Sequence, residues 1–277
     1  MARPAQEPKE YTEQGSLMPV GFVGHGAPTV GLEKDSSLSR AWKEWGDSLP
    51  KPKAILVVSA HWLQKPPHLG PLNAVPLTYD FYGFPQELYE VEYPAPPAPK
   101  LAKELLHLLD HLGLKAGTNS NRGLDHGAWV PLMHMFPRAD IPILQISIGT
   151  NVPMNEHLAL GHALAPLRSK GVFILGSGNI THNLRILNFG DRYGSAEPWA
   201  KDFDVWCRKN LDRFDLNALA DYQKQAPQAK MAHPTDDHYT PLLVAAAAAG
   251  KDGKPQVRYP HEGFEYGTLS MRCVEFS

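Results

Sequence analysis

The chain has 277 residues, 43% hydrophobic and 20% charged, with a formal net charge of −2. That balance excludes a global electrostatic pull toward nucleic acid or an anionic membrane and suits a small neutral or anionic partner. The longest apolar run, Leu242 to Ala249, is far short of the roughly 20 residues a membrane-spanning helix needs.

Met1 to Lys9 is polar and proline-containing and lacks the apolar core of a secretory signal. Residues 1–17 are therefore expected to be a loose tail, 18–277 one domain, and the protein cytoplasmic. Val20 to Val23 is the first predicted strand and runs into Gly24-His25-Gly26. A helix is predicted over Leu32 to Trp45. Ala54 to Ser59 is almost wholly apolar, as expected of a strand covered on both faces, and it ends at Ala60-His61-Trp62. The proline-dense stretch from Pro66 to Pro99 contains Tyr79-Asp80-Phe81-Tyr82-Gly83-Phe84-Pro85. It is too long for a mere connector and reads as a candidate lid, or else as an ordinary packed surface loop.

Further helices are predicted over Pro99 to Leu112, His126 to Phe136, Asn155 to Arg168, Pro198 to Phe214 and Pro241 to Ala249. In the first of them the leucines at 101, 105, 108, 109 and 112 form one stripe. Strands are predicted over Ile141 to Ile148 and Val172 to Leu175, the latter leading into Gly176-Ser177-Gly178-Asn179. Gln256 to Tyr259 and Thr268 to Phe276 suggest a closing hairpin. Alternation of strands and helices predicts an α/β domain with a mixed, mostly parallel central sheet flanked by helices.

The two cysteines, Cys207 and Cys273, lack C-x-x-C spacing, so any metal site must be built from nitrogen and oxygen ligands. There are 13 histidines. His107 and His111 have the i, i+4 spacing of a metal pair but lack the glutamate of H-E-x-x-H, and they read as solvated. His68, His134, His157, His162 and His261 receive the same structural reading. His25, His61 and His182 differ, because each follows a buried-strand pattern within a few residues. Open α/β sheets bind ligands at the carboxyl ends of their strands, so three imidazoles there would form one nitrogen-rich site. Strand-end histidines also serve as simple hydrogen-bonders.

His238 lies in His233-Pro234-Thr235-Asp236-Asp237-His238-Tyr239-Thr240-Pro241. Thr240 and Pro241 read as N-cap and first residue of a helix, which fixes His238 just ahead of a helix N-terminus. Asp236 and Asp237 read either as carboxylates orienting an imidazole or, with more weight, as exposed loop acids. Asp125 beside His126 reads as an N-cap with the histidine in the first turn, or His126 serves as a proton donor or acceptor.

Five segments in this order resemble the 4,5-DOPA dioxygenase extradiol family, within the class III extradiol ring-cleavage dioxygenases related to protocatechuate 4,5-dioxygenase. They are Gly24 to Pro28, Ser59 to Trp62, Asp125 to Trp129, Gly176 to Leu184 and Pro234 to Pro241. The resemblance spans roughly Met18 to Phe276. It implies an enzyme that opens a catechol-type ring with O2 at one divalent metal per chain, giving a muconic semialdehyde. His25, His61 and His238 are implied as ligands. His182 is implied either as a fourth ligand or as the base that deprotonates the diol, and His126 as the acid.

Tyr79, Phe81, Tyr82 and Tyr239 are the implied contacts to the ring. Iron(II) is implied for activity, while an all-histidine site departs from the two-histidine, one-carboxylate pattern of related enzymes and would also hold zinc. The expected partners are a small aromatic diol and O2, with no nucleic acid and no membrane, in a monomer or small homo-oligomer. Two alternatives stand beside this reading: a zinc-dependent hydrolase, and a non-catalytic Memo-like binding protein on the same fold.

Overall fold

A computed structural model describes residues 17–251 and 253–277, so the tail expected over 1–17 lies outside the described residues except for Leu17. The apolar runs predicted as strands form the centre of an eight-stranded sheet. These are β1 (Val20–Gly24), β2 (Ala54–Leu63), β5 (Ile143–Ile148) and β6 (Val172–Gly178). β3 (His68–Gly70), β4 (Gly117–Thr118), β7 (Val257–Arg258) and β10 (Val274–Phe276) complete it, in the order β4-β3-β5-β2-β6-β1-β10-β7. The pairs β2·β5, β2·β6, β1·β6 and β3·β4 are parallel; β3·β5, β1·β10 and β10·β7 are antiparallel. The expected mixed, mostly parallel sheet is therefore present.

Side chains alternate across the pleat, and both faces are buried. Ile55, Val57, Phe173 and Leu175 join one apolar cluster with Trp42, Trp45 and Trp129. Leu56, Val58, Leu144, Ile146 and Ile174 join the other, with Leu105, Leu164 and the alanines near the C-terminus. The first face is covered by α1 (Ser37–Ser48) and α3 (His126–Met135). The second is covered by α2 (Pro99–His111), α4 (Met154–Leu164), α5 (Pro198–Arg213), three one-turn helices α6 (Leu216–Ala220), α7 (Tyr222–Gln225) and α8 (Ala229–Ala232), and α9 (Thr240–Gly250).

Several boundaries differ from the sequence reading for local reasons. α1 begins at Ser37 because the Ser36 hydroxyl accepts the Ser39 backbone N–H at 3.1 Å, and Pro28–Leu32 forms a separate 3-10 turn. α4 gives way to a 3-10 turn over Ala165–Lys170, where Pro166 removes a backbone donor. The closing hairpin exists as β10 paired with β7. Its predicted second strand is split, because β9 (Leu269–Ser270) turns aside to pair with β8 (Phe264–Glu265) in a separate small sheet. β3 and β4 are too short to carry a periodic signal.

The alanine-rich α9 is buried almost along its whole length and packs closely against α4. A Cβ at Gly161 of α4 would fall 2.4 Å from the Val244 carbonyl oxygen and 2.6 Å from the Ala247 Cβ. Small residues on both helices set this close approach. Gly161→Val is expected to destabilise the protein by about 1–3 kcal/mol through overpacking, measured as a lower urea midpoint with an unchanged slope.

Candidate metal centre and active site

Three neighbouring strands, β1, β6 and β2, deliver their carboxyl ends to one place. His25 follows β1, and its backbone N–H donates to the Gly178 carbonyl at the end of β6 (3.0 Å). His61 lies near the end of β2, within the stretch where the register with β5 slips between Val58 and Leu63. Such irregularities re-aim side chains, here toward the sheet edge. His238 lies in the turn ahead of α9. A Cβ at Gly178 would be 2.1 Å from the His238 carbonyl oxygen, so only glycine lets this turn rest on the strand end, where Asn179 N–H donates to the same oxygen at 3.0 Å.

The hydrogen bonds of these three imidazoles fix which nitrogen each presents. Ser177 Oγ donates to the Gly127 carbonyl (2.5 Å), so it accepts from His25 Nδ1 (2.9 Å). Carboxylates only accept, so His238 Nδ1 donates to Asp237 Oδ2 (2.5 Å), while His61 Nδ1 stands 3.2 Å from Asp80 Oδ2. The Nε2 atoms of His25 and His238 are thereby left with a lone pair. The Nε2 atoms of His25 and His61 face each other at 3.0 Å, and His238 Nε2 is buried with no hydrogen-bond partner. A gap of this size admits one shared proton or a cation that both rings hold. Histidine ligands whose second nitrogen donates to an oxygen are the arrangement metal sites use, so these residues fit a divalent metal.

Two other groups of three bring ligand atoms equally close: His61 with Asp80 and His126, and His182 with Asp237 and His238. In each of them the carboxylate already accepts from a histidine Nδ1. His182 stacks on His238 with ring centroids 3.4 Å apart and planes 3° from parallel. The backbone N–H of His182 donates to the Ala232 carbonyl at 2.9 Å. His126 opens α3, 4.0 Å from His61 between centroids, and its Nδ1 donates to Asp80 Oδ1 at 2.9 Å.

Burial and mutual repulsion keep the cluster uncharged. Burial, then the neighbouring histidines, push His25 and His238 well below the ordinary histidine range. His61 is lowered to about 4 by burial and by His126, and His182 to about 3 by burial and by His233. Burial acts to raise Asp80, but hydrogen bonds and charge from His126, with the charge of His61, outweigh it and bring Asp80 to about 2. Neutral imidazoles and an ionised carboxylate are the states metal binding requires.

Several sequence expectations change here. Tyr239 is fully buried, with its hydroxyl donating to the Leu219 carbonyl at 3.1 Å, so it is a core residue and not a ring contact. Tyr82 is 92% exposed and points to solvent. Tyr79 packs on Phe81, Tyr89 and Trp129 and donates to the Val91 carbonyl, which leaves Phe81, edge-on to His126 at 5.7 Å, as the aromatic residue against the site. Thr240 is the first residue of α9 and not its cap; its hydroxyl donates back to the Asp236 carbonyl at 2.9 Å.

Asp237, weighted as a loop acid, orients His238. Asp125 occupies the N-cap position of α3, but its buried side chain accepts from Ser59 Oγ (2.7 Å), Gln145 and Arg122. Asp80 and His233 were not singled out. His233, also lowered to about 4 by burial, bonds the Ile180 carbonyl through Nε2 at 2.7 Å and so braces the segment leading to His182. Its place in the His238 segment was the available signal. His68, His111 and His134 bond nearby backbone carbonyls, as structural histidines do.

A stability consequence follows from the lowered histidines. The unfolded chain takes up protons near 6.5, whereas His61, His182 and His233 stay neutral in the fold until about 4, 3 and 4. The unfolded state therefore binds more protons as pH falls from about 6.5 toward 4, and stability is lost through that window by about 1.4 kcal/mol per pH unit for each such group. Thermal unfolding of metal-free protein should show a melting temperature flat above pH 7 and falling steadily between pH 6.5 and 4.

Comparison with known proteins shows the family. Residues 20–275 match the family model described as the catalytic LigB subunit of aromatic ring-opening dioxygenase. A 4,5-DOPA dioxygenase extradiol from Beta vulgaris is 38% identical over 259 residues, covering 92% of this chain and 95% of that protein. One from Escherichia coli K12 is 38% identical over 271 residues, covering 96% and 97%. A crystal structure described as uncharacterized protein JW3007 from Escherichia coli K12 superposes with a TM-score of 0.77 at 34% identity, covering 94% of this chain and 100% of that one. Among the described residues no helix is long and apolar enough to cross a membrane. The chain belongs to the LigB family of aromatic ring-opening dioxygenases, and it is an extradiol ring-cleavage enzyme of the kind represented by the 4,5-DOPA dioxygenases.

Proposed function

We propose that the protein opens a catechol-type ring outside its diol with O2, giving a muconic semialdehyde, at a single divalent metal held by Nε2 of His25, His61 and His238. The observation that carries this reading is the convergence of the His25, His61 and His238 rings from the β1 and β2 ends and the α9 turn, with an oxygen beside Nδ1 of each. Iron(II) held by such ligands supplies open coordination positions for the diol oxygens and for O2.

The remaining residues divide the proton work. His182 is neutral at physiological pH and lies against the face of His238. It accepts the proton that a diol hydroxyl gives up on binding. His126 keeps Nδ1–H on Asp80 and presents an Nε2 lone pair, which would take up the second diol proton and return it, as the general acid, when the ring opens. Phe81 forms an apolar wall next to His126. Curated relatives named 4,5-DOPA dioxygenase extradiol support an amino-acid catechol as the first substrate to try.

Protein loaded anaerobically with iron(II) is expected to consume O2 and form a yellow product across a catechol panel that includes DOPA. A metal-loaded protein that hydrolyses esters and consumes no O2 would instead be a hydrolase. His126→Ala should retain its metal by elemental analysis and lose about 10²- to 10⁴-fold in turnover, the usual span for a general acid. His182→Ala should also retain metal; loss of the ion from that variant would make His182 a ligand and not the base.

A further inference from the structure

Asp80 is the one residue of the long β3-to-α2 connection that reaches the metal centre with a charged group. Its Oδ1 accepts from the backbone N–H of His126 (3.0 Å) and from His126 Nδ1 (2.9 Å), and its Oδ2 stands 3.2 Å from His61 Nδ1. Asp237, by comparison, holds the single ring of His238. The Asp80 side chain is 15% exposed, so these bonds lie in largely desolvated surroundings, where charge-assisted hydrogen bonds are strong. The same carboxylate stands at the N-terminus of the ten-residue α3, where the Asp125 side chain has turned away to Ser59 and Gln145.

The connection is fixed on both sides of Asp80. Thr78 donates to the Leu124 carbonyl through its backbone (2.8 Å) and to the Gly123 carbonyl through its hydroxyl (3.1 Å), and Phe81 packs edge-on to His126. The stretch around Asp80 is thus laid along residues 123–126, and its one ionic tie runs to the two histidines that stand side by side. An imidazole is free to turn over about χ2 unless a partner holds one nitrogen. Turned over, His61 would withdraw the Nε2 that faces His25.

We propose that Asp80 is a positioning residue that couples metal retention to docking of this loop, because one carboxylate holds His61 and His126 with Nε2 toward the site and holds the chain carrying Phe81 against them. The inference rests on the reading of His61 as a ligand. It does not depend on the identity of the substrate. Coupling of this kind is reciprocal: an ion that fixes His61 also fixes Asp80 and its loop, and a loop that cannot dock leaves His61 free to turn.

The experiment uses zinc as the probe, so that no turnover is needed. Asp80→Asn keeps the shape but replaces one acceptor oxygen with a donor, and it should bind zinc about 10- to 100-fold more weakly than the parent in competition with a chromophoric chelator, the usual cost of removing a ligand's hydrogen-bond partner. Nitrogen-15 NMR of the imidazoles should show Nδ1–H tautomers for His61 and His126 in the zinc-free parent and mixed tautomers in the variant. Hydrogen exchange over residues 76–85 should speed up in the variant, and also in the parent when its zinc is stripped. Asp80→Ala should reproduce all three changes, and thermal unfolding identifies the variants that remain folded.

Zinc affinity and tautomers unchanged in Asp80→Asn would overturn the positioning role. Weaker zinc with unchanged exchange over 76–85 would overturn the coupling. A parent protein that cleaves no catechol, yet loses zinc affinity on Asp80→Asn, would sink the proposed reaction and leave this inference standing.

Discussion

The site depends on the close approach of two imidazoles. The Nε2 atoms of His25 and His61 face each other at 3.0 Å, and His25 has committed its Nδ1–H to Ser177, so its Nε2 offers a lone pair to that gap. The gap admits one shared proton or a cation that joins the two rings. Much of the surrounding polar structure fixes how the rings stand. Ser177 accepts from His25 and donates to Gly127, Asp237 accepts from His238, Asp80 stands 3.2 Å from His61 Nδ1, and the Asn179 N–H holds the His238 carbonyl. Below them Asp125 gathers Ser59 from β2, Gln145 from β5 and Arg122, pinning the two strands together where their register slips. A buried carboxylate with three donors is stable, and one left unpaired is expensive, so this network fixes the strand irregularity that aims His61.

The all-histidine ligand set has a consequence for charge. Related non-heme iron sites use two histidines and one carboxylate, which places one negative charge on the ion. On the proposed assignment no negative charge touches the ion, but Asp80 and Asp237 each sit one imidazole away. A carboxylate accepting from Nδ1 makes the ring a stronger donor through Nε2, so part of that negative charge is transmitted through the ring. The affinity and reactivity of the ion then depend on residues that never touch it.

The sequence revealed the parts of the fold and site that obey a period or a strand end. Runs such as Ala54 to Ser59 are apolar on both faces because helices cover both faces, and the histidines that follow such runs converge because parallel strands end on one side. Asp80 was illegible for the opposite reason. It lies 46 residues from His126 in an irregular connection whose path is set by tertiary contacts, so no spacing marks it. Tyr239 adjoins His238 in sequence but does not share its direction. Successive residues of a turn entering a helix diverge, and Tyr239 goes into the core between Phe203 and Tyr222. Asp237 looked like one of two loop acids, and only the three-dimensional turn gives one of them to His238 and leaves the backbone carbonyl of the other to begin α9.

The stack of His182 on His238 bears on how one small site can hold an ion and move a proton without confusing the two tasks. A ligand and a base of the same chemical type compete wherever their lone pairs point to the same place. On the proposed assignment that competition is eased by the stack, which sets the base ring against the face of the ligand ring with centroids 3.4 Å apart. The arrangement needs both rings held from behind. His238 is clamped by Asp237 and Asn179, while the segment bearing His182 is tied through its own N–H to Ala232 and through the Ile180 carbonyl to His233. The Ala232 and His233 tie points begin the His233 to Pro241 segment that also carries His238, so the two rings keep their relative position if that segment shifts as a unit. On the proposed assignment, a catechol bound in this site would then meet a proton acceptor whose place beside His238 is set by ring stacking, a contact that tolerates little variation.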